Sequence, residues 1–199
     1  MRPHIVGLPL FHLDRRTLFE HEAVATDKRG LDAIGCKHAT SDCAEQELSF
    51  KLHDFGARGV SSLESAALGG MAHLVNFMGT DTVSALLAAR RYYDCEMAGF
   101  SIPAAEHSTI TSWGREHEAD AYRNMLRQFA RPGSVVAVVS DSYDIFHACD
   151  AIWGQQLHDA VIASGATVVI RPDSGDPAIT VPQVVQILAQ RFGYTTNSK

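Results

Sequence analysis

Val135-Val-Ala-Val-Val-Ser140, followed by Asp141-Ser-Tyr-Asp144, is the stretch of this sequence that decides the fold. A nearly continuous β-branched run of this kind is typical of a strand buried on both faces of a parallel sheet. An acidic turn follows the run, and a helix is then predicted over 145–163, with a kink or break at Gly154. The order of strand, acidic turn and helix predicts a βα unit.

The same unit recurs on both sides of this stretch, which gives about four units in all. Strands alternating with helices of this length indicate βαβ connections and a mostly parallel sheet. The further predicted pairs of strand and helix are 48–54 with 62–76, 77–78 with 82–93, and 167–170 with 179–192.

Two helices carry more detailed predictions. On the helix predicted over 82–93, spacing places four residues on one apolar face: Val83, Leu86, Leu87 and Tyr93. A further helix is predicted to begin at Thr109 or Ser112 and to continue without a break to Phe129. Arg131-Pro-Gly133 then stops it.

Composition is that of an ordinary globular protein. The chain has 199 residues, of which 46% are hydrophobic and 20% charged, and this length is room for one domain of ordinary size or at most two small ones. The formal net charge of −6 argues against a protein that grips nucleic acid or an anionic membrane surface. A small-molecule substrate is therefore the favoured expectation.

The sequence shows no clear membrane-targeting, secretory or metal-binding motif. No run of eighteen apolar residues predicts a membrane span, and prolines and a glycine interrupt the apolar run in Met1–Leu13 too often for a secretory leader. The four cysteines form no Cys-x-x-Cys pair, and no His-Glu-x-x-His occurs. These features predict a cytoplasmic protein with reduced thiols and no metal centre of its own.

Polar side chains follow the predicted strands at their carboxyl ends, where parallel α/β folds place their chemistry. A single Asp there is most often a helix cap or turn residue, but repetition over several units, with Phe55 and Arg58 added, favours a site at one mouth. Carboxylates, arginines and an aromatic ring suit a phosphorylated sugar that carries a heterocycle. The residues at strand ends are His53, Asp54, Asp81, Asp141, Arg171 and Asp173.

Five ordered blocks, from about residue 47 onward, resemble the nicotinamide phosphoribosyltransferase family. They are Lys51–Ser62, His73–Asp81, Ser101–Thr111, Val138–Ile145 and Ile170–Gly175. The resemblance implies a partial (β/α) barrel of the type II phosphoribosyltransferase kind over 44–199, with about four βα units around a parallel sheet. Residues 1–43 stay unassigned.

The resemblance also implies an activity. Family members join nicotinamide to phosphoribosyl pyrophosphate, giving nicotinamide mononucleotide and pyrophosphate for NAD biosynthesis. Mg²⁺ accompanies the pyrophosphate groups, and ATP is a coupling substrate. A homodimer or a complementing chain is the expected partner, while nucleic acid and membrane are not.

Site roles follow from the same resemblance. Phe55 is expected to stack on the pyridine ring, Asp81 to accept a hydrogen bond from the carboxamide, and His107 to be phosphorylated from ATP. An Asp81 carboxylate would also repel the carboxylate of nicotinate. His53 is expected to be structural, or to support residues that contact the substrate without contacting it itself. The other expected site residues are Ser101 near the base, Arg58 and Arg171 at the phosphates or ring edge, and Asp141 and Asp173 near the ribose and the Mg²⁺-pyrophosphate.

The sequence also departs from the family pattern. Residues 1–43 do not resemble the family's N-terminal portion, and the later glycine-rich segments that bind phosphate are not among the 199 residues, so this chain alone is expected to be inactive. A fragment, an altered gene product and half of a split enzyme stay open. The alternatives are an inactive binding or interaction fragment, a nicotinate phosphoribosyltransferase and, more distantly, a metal-dependent barrel hydrolase.

Overall fold

A computed structural model describes residues 49–195 of the chain. Contacts divide the chain into two compact units, which within this range comprise 49–101 and 102–195. The unassigned segment 1–43 lies outside the described residues, so its separate status stays a prediction.

The unit 49–101 contains one pair of parallel strands. Strand β1 is His53–Asp54 and strand β2 is Gly79–Thr80, with His53 opposite Gly79. A parallel bridge joins Gly79 to Phe100. Strand β1 is shorter than the sequence predicted, because Ser49 and Phe50 lie in a turn. The predicted strand at 77–78 forms two residues later, at β2.

Two helices, Leu63–Leu74 and Val83–Tyr93, accompany these strands. The first was predicted over 62–76 and begins at Leu63, after Ser62, whose Oγ accepts a hydrogen bond from the Ser65 N–H at 3.0 Å. The helices come close at Gly70, where an added Cβ would lie 2.5 Å from Cβ of Ala85.

The apolar face predicted for the helix Val83–Tyr93 is wrong. Val83, Leu87 and Tyr93 are 64%, 65% and 76% exposed, whereas the buried residues of this helix are alanines. The prediction ranked residues by hydrophobicity, but two helices in close contact need small side chains where they meet. The buried alanines are Ala85, Ala88 and Ala89.

The unit 102–195 contains the second parallel pair. Strand β3 is Val135–Val139 and strand β4 is Thr167–Arg171, with Val135 opposite Thr167. Ala104 forms a parallel bridge to Ala137 on β3. The core contains Trp153 stacked on Tyr122 at 4.8 Å between ring centroids, and further buried residues that include Ile110, Val136, Val138, Ile170 and Val184. The helices of this unit are His107–Thr111, Glu118–Phe129, Ile145–His147, His158–Ser164 and Pro177–Phe192.

The uninterrupted helix predicted from Thr109 or Ser112 to Phe129 is wrong. The helix that begins at His107 ends at Thr111, a 3₁₀ turn occupies Arg115–His117, and a new helix begins at Glu118. Gly114 lies between them with φ of +79°, a left-handed conformation that ends a right-handed helix and favours glycine.

The break predicted near Gly154 is present in an unusual form. Residues Ala148–Gln156 form a π-helix between the helices that end at His147 and begin at His158. Gly154 is tightly enclosed, because an added Cβ would lie 2.5 Å from Cγ of Arg191.

The fold class is confirmed at the level of an α/β protein with short parallel strand pairs and, among residues 49–195, seven α-helices. The partial barrel stays a prediction. Over the same residues, no helix has the length and apolarity needed to cross a membrane.

Candidate active site

The unit 49–101 holds a cluster centred on Asp81, which directly follows β2. His53 Nε2 lies 3.1 Å from Asp81 Oδ1, and Ser101 Oγ donates to the same oxygen. A carboxylate only accepts, so the His53 proton lies on Nε2. Two donors therefore orient Asp81, while its side chain stays 36% exposed.

Phe55 lies next to these groups. Its ring centroid is 4.5 Å from that of His53, with the ring planes inclined by 31°, and its side chain is half-buried. We call His53, Phe55, Asp81 and Ser101 the Asp81 cluster. It presents an aromatic surface and an oriented carboxylate within one unit. Arg58 is exposed on the 3₁₀ turn Gly56–Gly59 that follows Phe55.

The unit 102–195 holds a second cluster, centred on His107. His107 Nε2 lies 3.0 Å from Asp141 Oδ1, and its Nδ1 lies 3.7 Å from Asp173 Oδ2. Its side chain is 40% exposed, whereas that of Asp141 is buried. His107 is the first residue of its helix, which Glu106 and Thr109 cap reciprocally. The imidazole is thus held by Asp141 through Nε2, lies near Asp173 on its Nδ1 side, and stays accessible.

Asp141 is held on both of its oxygens. While Oδ1 faces His107, Oδ2 accepts from the Asp173 N–H at 2.9 Å and from Ser174 Oγ at 2.6 Å. Burial raises the pKa of Asp141, but the hydrogen bonds from Ser174, Asp173 and His107 outweigh it and hold that pKa below its ordinary value. An ionised Asp141 keeps the proton of a neutral His107 on Nε2.

Arg171, at the end of β4, is buried and contacts protein groups. Its Nη1 donates to Asp173 Oδ1 at 3.0 Å, and its Nη2 donates to the Ala105 carbonyl at 3.2 Å and lies 3.7 Å from Glu106 Oε1. These contacts join the end of β4 to the segment that leads into His107. We call His107, Asp141, Arg171, Asp173 and Ser174 the His107 cluster.

The structure thus brings the predicted residues together in two groups. Phe55, Asp81 and Ser101 lie in one unit, and the other unit holds His107 and its partners. That all of them share one mouth stays a prediction.

Sequence reasoning missed Ser174, whose hydroxyl binds Asp141. The available signal was its place next to Asp173 in the turn after β4. Three other histidines belong to neither cluster. His73 is buried with Nε2 at 2.9 Å from the Gly79 carbonyl oxygen, His158 stacks on Phe192, and His147 is exposed.

Neither carboxylate at His107 makes a ready-made metal site. Both oxygens of Asp141 accept hydrogen bonds from protein groups, and Asp173 Oδ1 accepts from Arg171. Across residues 49–195, no group of three or more His, Cys, Asp or Glu side chains is arranged to hold a metal ion. The residues present do not fit a metal held by this part of the chain.

Comparison with known proteins places both clusters in one family. A model of the nicotinate phosphoribosyltransferase (NAPRTase) family matches residues 50–199, and this range includes every residue of the Asp81 and His107 clusters. The chain belongs to the nicotinate phosphoribosyltransferase family.

Relatives within this family carry a more specific name. A nicotinamide phosphoribosyltransferase of Xanthomonas campestris pv. campestris is 69% identical over 160 residues, which cover 80% of this chain and 34% of that protein. Proteins of the same name from Acinetobacter baylyi and Mycoplasma pneumoniae are each 36% identical, over 63% and 75% of this chain and 26% and 33% of their own lengths. The matched part of the chain therefore spans about a quarter to a third of the length of these relatives.

Proposed function

We propose that this chain provides the base-binding and phosphohistidine parts of a nicotinamide phosphoribosyltransferase, which joins nicotinamide to phosphoribosyl pyrophosphate in NAD biosynthesis. The observation that carries the proposal is the Asp81 carboxylate, oriented by His53 and Ser101 beside the Phe55 ring. The names of the family relatives support the same substrate.

Asp81 is the group that selects nicotinamide. An ionised carboxylate accepts a hydrogen bond from the carboxamide N–H₂ but repels the carboxylate of nicotinate. Ser101 and His53 donate to the same Asp81 oxygen, so the carboxylate is oriented before the base binds. Phe55 supplies the flat surface on which the pyridine ring stacks.

His107 is the group that accepts phosphate from ATP. Its Nε2–H is held by Asp141, so Nδ1 carries the lone pair that attacks the γ-phosphorus. The N–P bond forms as the P–O bond to ADP breaks, and ADP leaves. Asp141 stabilises the positive charge that develops on the ring. Hydrolysis of the phosphohistidine then couples ATP to synthesis.

The transfer step exchanges two bonds at C1′ of the ribose. The pyridine nitrogen forms a bond to C1′ as the bond from C1′ to the pyrophosphate oxygen breaks, through a transition state with oxocarbenium character. Positioning of the base and fixed charge around the ribose supply the catalysis. Asp173 serves the ribose side of this step, and Asp141 supports it by accepting a hydrogen bond from the Asp173 N–H. Arg58 serves the phosphates or the ring edge. Arg171 serves the same region by holding Asp173 and the segment before His107 in place.

Mg²⁺ accompanies the diphosphate of phosphoribosyl pyrophosphate in this proposal. Because both oxygens of Asp141 are engaged within the protein, we assign no described residue as its ligand and route no step through it.

The proposal also covers the location of the enzyme in the cell and its partner chain. We infer a cytoplasmic enzyme that acts as a homodimer or with a complementing chain. The 199-residue chain alone is expected to be inactive, because its matched part spans only about a quarter to a third of the length of its relatives. That same coverage keeps an inactive binding fragment as the second candidate. Oriented Asp81 argues against nicotinate as the substrate.

The test uses a hybrid enzyme, in which residues 50–199 of this chain replace the matching stretch of the Xanthomonas campestris relative. We expect the hybrid to form nicotinamide mononucleotide from nicotinamide and phosphoribosyl pyrophosphate, with ATP raising the rate. A hybrid that folds but uses nicotinate in preference to nicotinamide would overturn the proposal. A folded hybrid without activity would favour the binding fragment.

A further inference from the structure

Asp54, the last residue of β1, is a buried carboxylate for which the proposed reaction has no use. Its exposure is 6%. Oδ1 accepts a hydrogen bond from the Gly56 N–H at 2.7 Å, which closes a turn around Phe55. The backbone on both sides of the Phe55 ring is therefore tied to this carboxylate.

Asp54 also holds the end of the neighbouring strand. Its Oδ2 lies 3.5 Å from Thr80 Oγ1, which in turn accepts from the Thr82 N–H at 3.0 Å. Its carbonyl oxygen accepts from the Asp81 N–H at 2.9 Å. Hence one residue binds the backbone that carries Phe55 and the backbone that carries Asp81.

Two glycines make room for this carboxylate. An added Cβ on Gly56 would lie 2.9 Å from Asp54 Oδ1, and one on Gly70 would lie 3.1 Å from Oδ2. Contacts below about 3.0 Å to a Cβ force atoms to move. The carboxylate is thus enclosed on both oxygens and has little freedom to shift.

We propose that Asp54 is a positioning residue that sets the separation between the Phe55 ring and the Asp81 carboxylate, and with it the fit of the pyridine base. The inference rests on the proposed function for its substrate. It goes beyond that function because it assigns base affinity to a buried side chain that acts through Gly56 and Thr80.

Substitution of Asp54 by asparagine or by alanine tests whether its two side-chain hydrogen bonds are what matters. Asp54→Asn keeps an oxygen that can accept from the Gly56 N–H, and its amide can donate to Thr80 Oγ1. Asp54→Ala removes both contacts. Gly56→Ala leaves the carboxylate in place but pushes on Oδ1, so it disturbs the same turn from the other side.

Ser62→Ala is the matched control. It removes a side-chain hydrogen bond to a backbone N–H in the same unit, from Ser65 at 3.0 Å, and Ser62 belongs to neither cluster. Loss of such a cap costs about 1 kcal/mol, so this variant reports what lost stability alone does to the assay.

The first readout needs no substrate. In Asp54→Ala the Gly56 N–H loses its acceptor, and Thr80 Oγ1, the acceptor of the Thr82 N–H, loses its contact with Asp54. Amide hydrogen exchange at Gly56 and Thr82, followed by NMR on the 199-residue chain, is therefore expected to quicken at least about tenfold relative to Ser62→Ala. Asp54→Asn is expected to restore slow exchange at Gly56. Unchanged exchange in Asp54→Ala would overturn the inference whatever the enzyme does.

The second readout uses the hybrid enzyme. For Asp54→Ala we expect KM for nicotinamide to rise roughly tenfold, the effect of one lost charged hydrogen bond. For Gly56→Ala we expect KM to rise as well, because the added Cβ displaces Oδ1. We expect kcat and KM for phosphoribosyl pyrophosphate to change less than about twofold, and Asp54→Asn to recover most of the affinity.

An equal fall of kcat in all variants including Ser62→Ala would show a general stability effect and overturn the positioning role. If the unaltered hybrid used no nicotinamide, the proposed function would fail. The exchange data would then decide separately whether Asp54 fixes the turn at Phe55 and the start of the Asp81 turn.

Discussion

His107 donates its Nε2–H to Asp141 across 3.0 Å, although 34 positions separate the two residues in the chain. Asp141 is itself held by the backbone of Asp173 and the hydroxyl of Ser174. This arrangement fixes the ring orientation and the position of its proton, and so leaves the lone pair of a neutral ring on Nδ1.

His107 is expected to take up phosphate from ATP labelled at the γ-position. In the hybrid enzyme the label should be acid-labile and absent from His107→Ala. Asp141→Asn should slow labelling by about one to two orders of magnitude, because one charged hydrogen bond that stabilises the developing ring charge is lost. Substitution of the exposed His147 is the control. Label retained in His107→Ala would contradict the assignment.

Asp81→Asn is expected to relax the choice between the two bases. The neutral amide no longer repels nicotinate, and it presents a donor as well as an acceptor to the carboxamide. In competition assays on the hybrid enzyme, we expect kcat/KM for nicotinamide to fall about 10- to 100-fold and the ratio of nicotinate to nicotinamide use to rise. An unchanged ratio of nicotinate to nicotinamide use would contradict the role proposed for Asp81.

Asp141 is expected to contribute to stability in a defined pH range. Hydrogen bonds hold its folded pKa below the ordinary value of an aspartic acid against the opposing effect of burial. Its contribution is therefore present above about pH 4 and is lost as the pH falls through the folded pKa. In urea unfolding between pH 6 and pH 2, the free energy of unfolding should fall less steeply with decreasing pH in Asp141→Asn than in the unaltered chain. Equal slopes would contradict the lowered pKa.

Glu118 is expected to act in the opposite direction. Burial raises its pKa above 4.5, although a hydrogen bond from Tyr122 at 2.6 Å lowers it in part. The folded chain thus binds the Glu118 proton more tightly than the unfolded chain does, and the free energy of unfolding falls as the pH rises through the range above 4.5. Glu118→Gln keeps an acceptor for Tyr122 and should flatten this fall. Asp159→Asn, at an exposed position, is the control and should leave it unchanged.

Elements with one dominant local signal could be predicted closely. The run of β-branched residues became β3 at Val135–Val139, and the helix predicted from residue 62 begins at Leu63 with Ser62 as its cap, because strand propensity and capping depend on neighbours in sequence. The face of the helix Val83–Tyr93 could not be predicted, since its contact with Gly70 of another helix decides which side is buried.

The candidate site could likewise be predicted only in part from the sequence. His107, Asp141 and Asp173 could be picked from their motifs, but Ser174 and the double attachment of Asp141 could not. Those contacts join turns that follow different strands, and only strand pairing brings such turns together. The roles taken from the family resemblance stay predictions for the experiments above.

The sequence by itself determined the alternation of strands and helices, the residue types at the strand ends and the family, because these depend on order along the chain. Tertiary structure alone decided that Asp54 ties Phe55 to the Asp81 backbone, that Arg171 contacts the segment before His107, and that alanines form the buried helix face. The physical reason is that hydrogen bonds and close packing act over a few ångströms in space, between residues whose separation in sequence carries no signal of their contact.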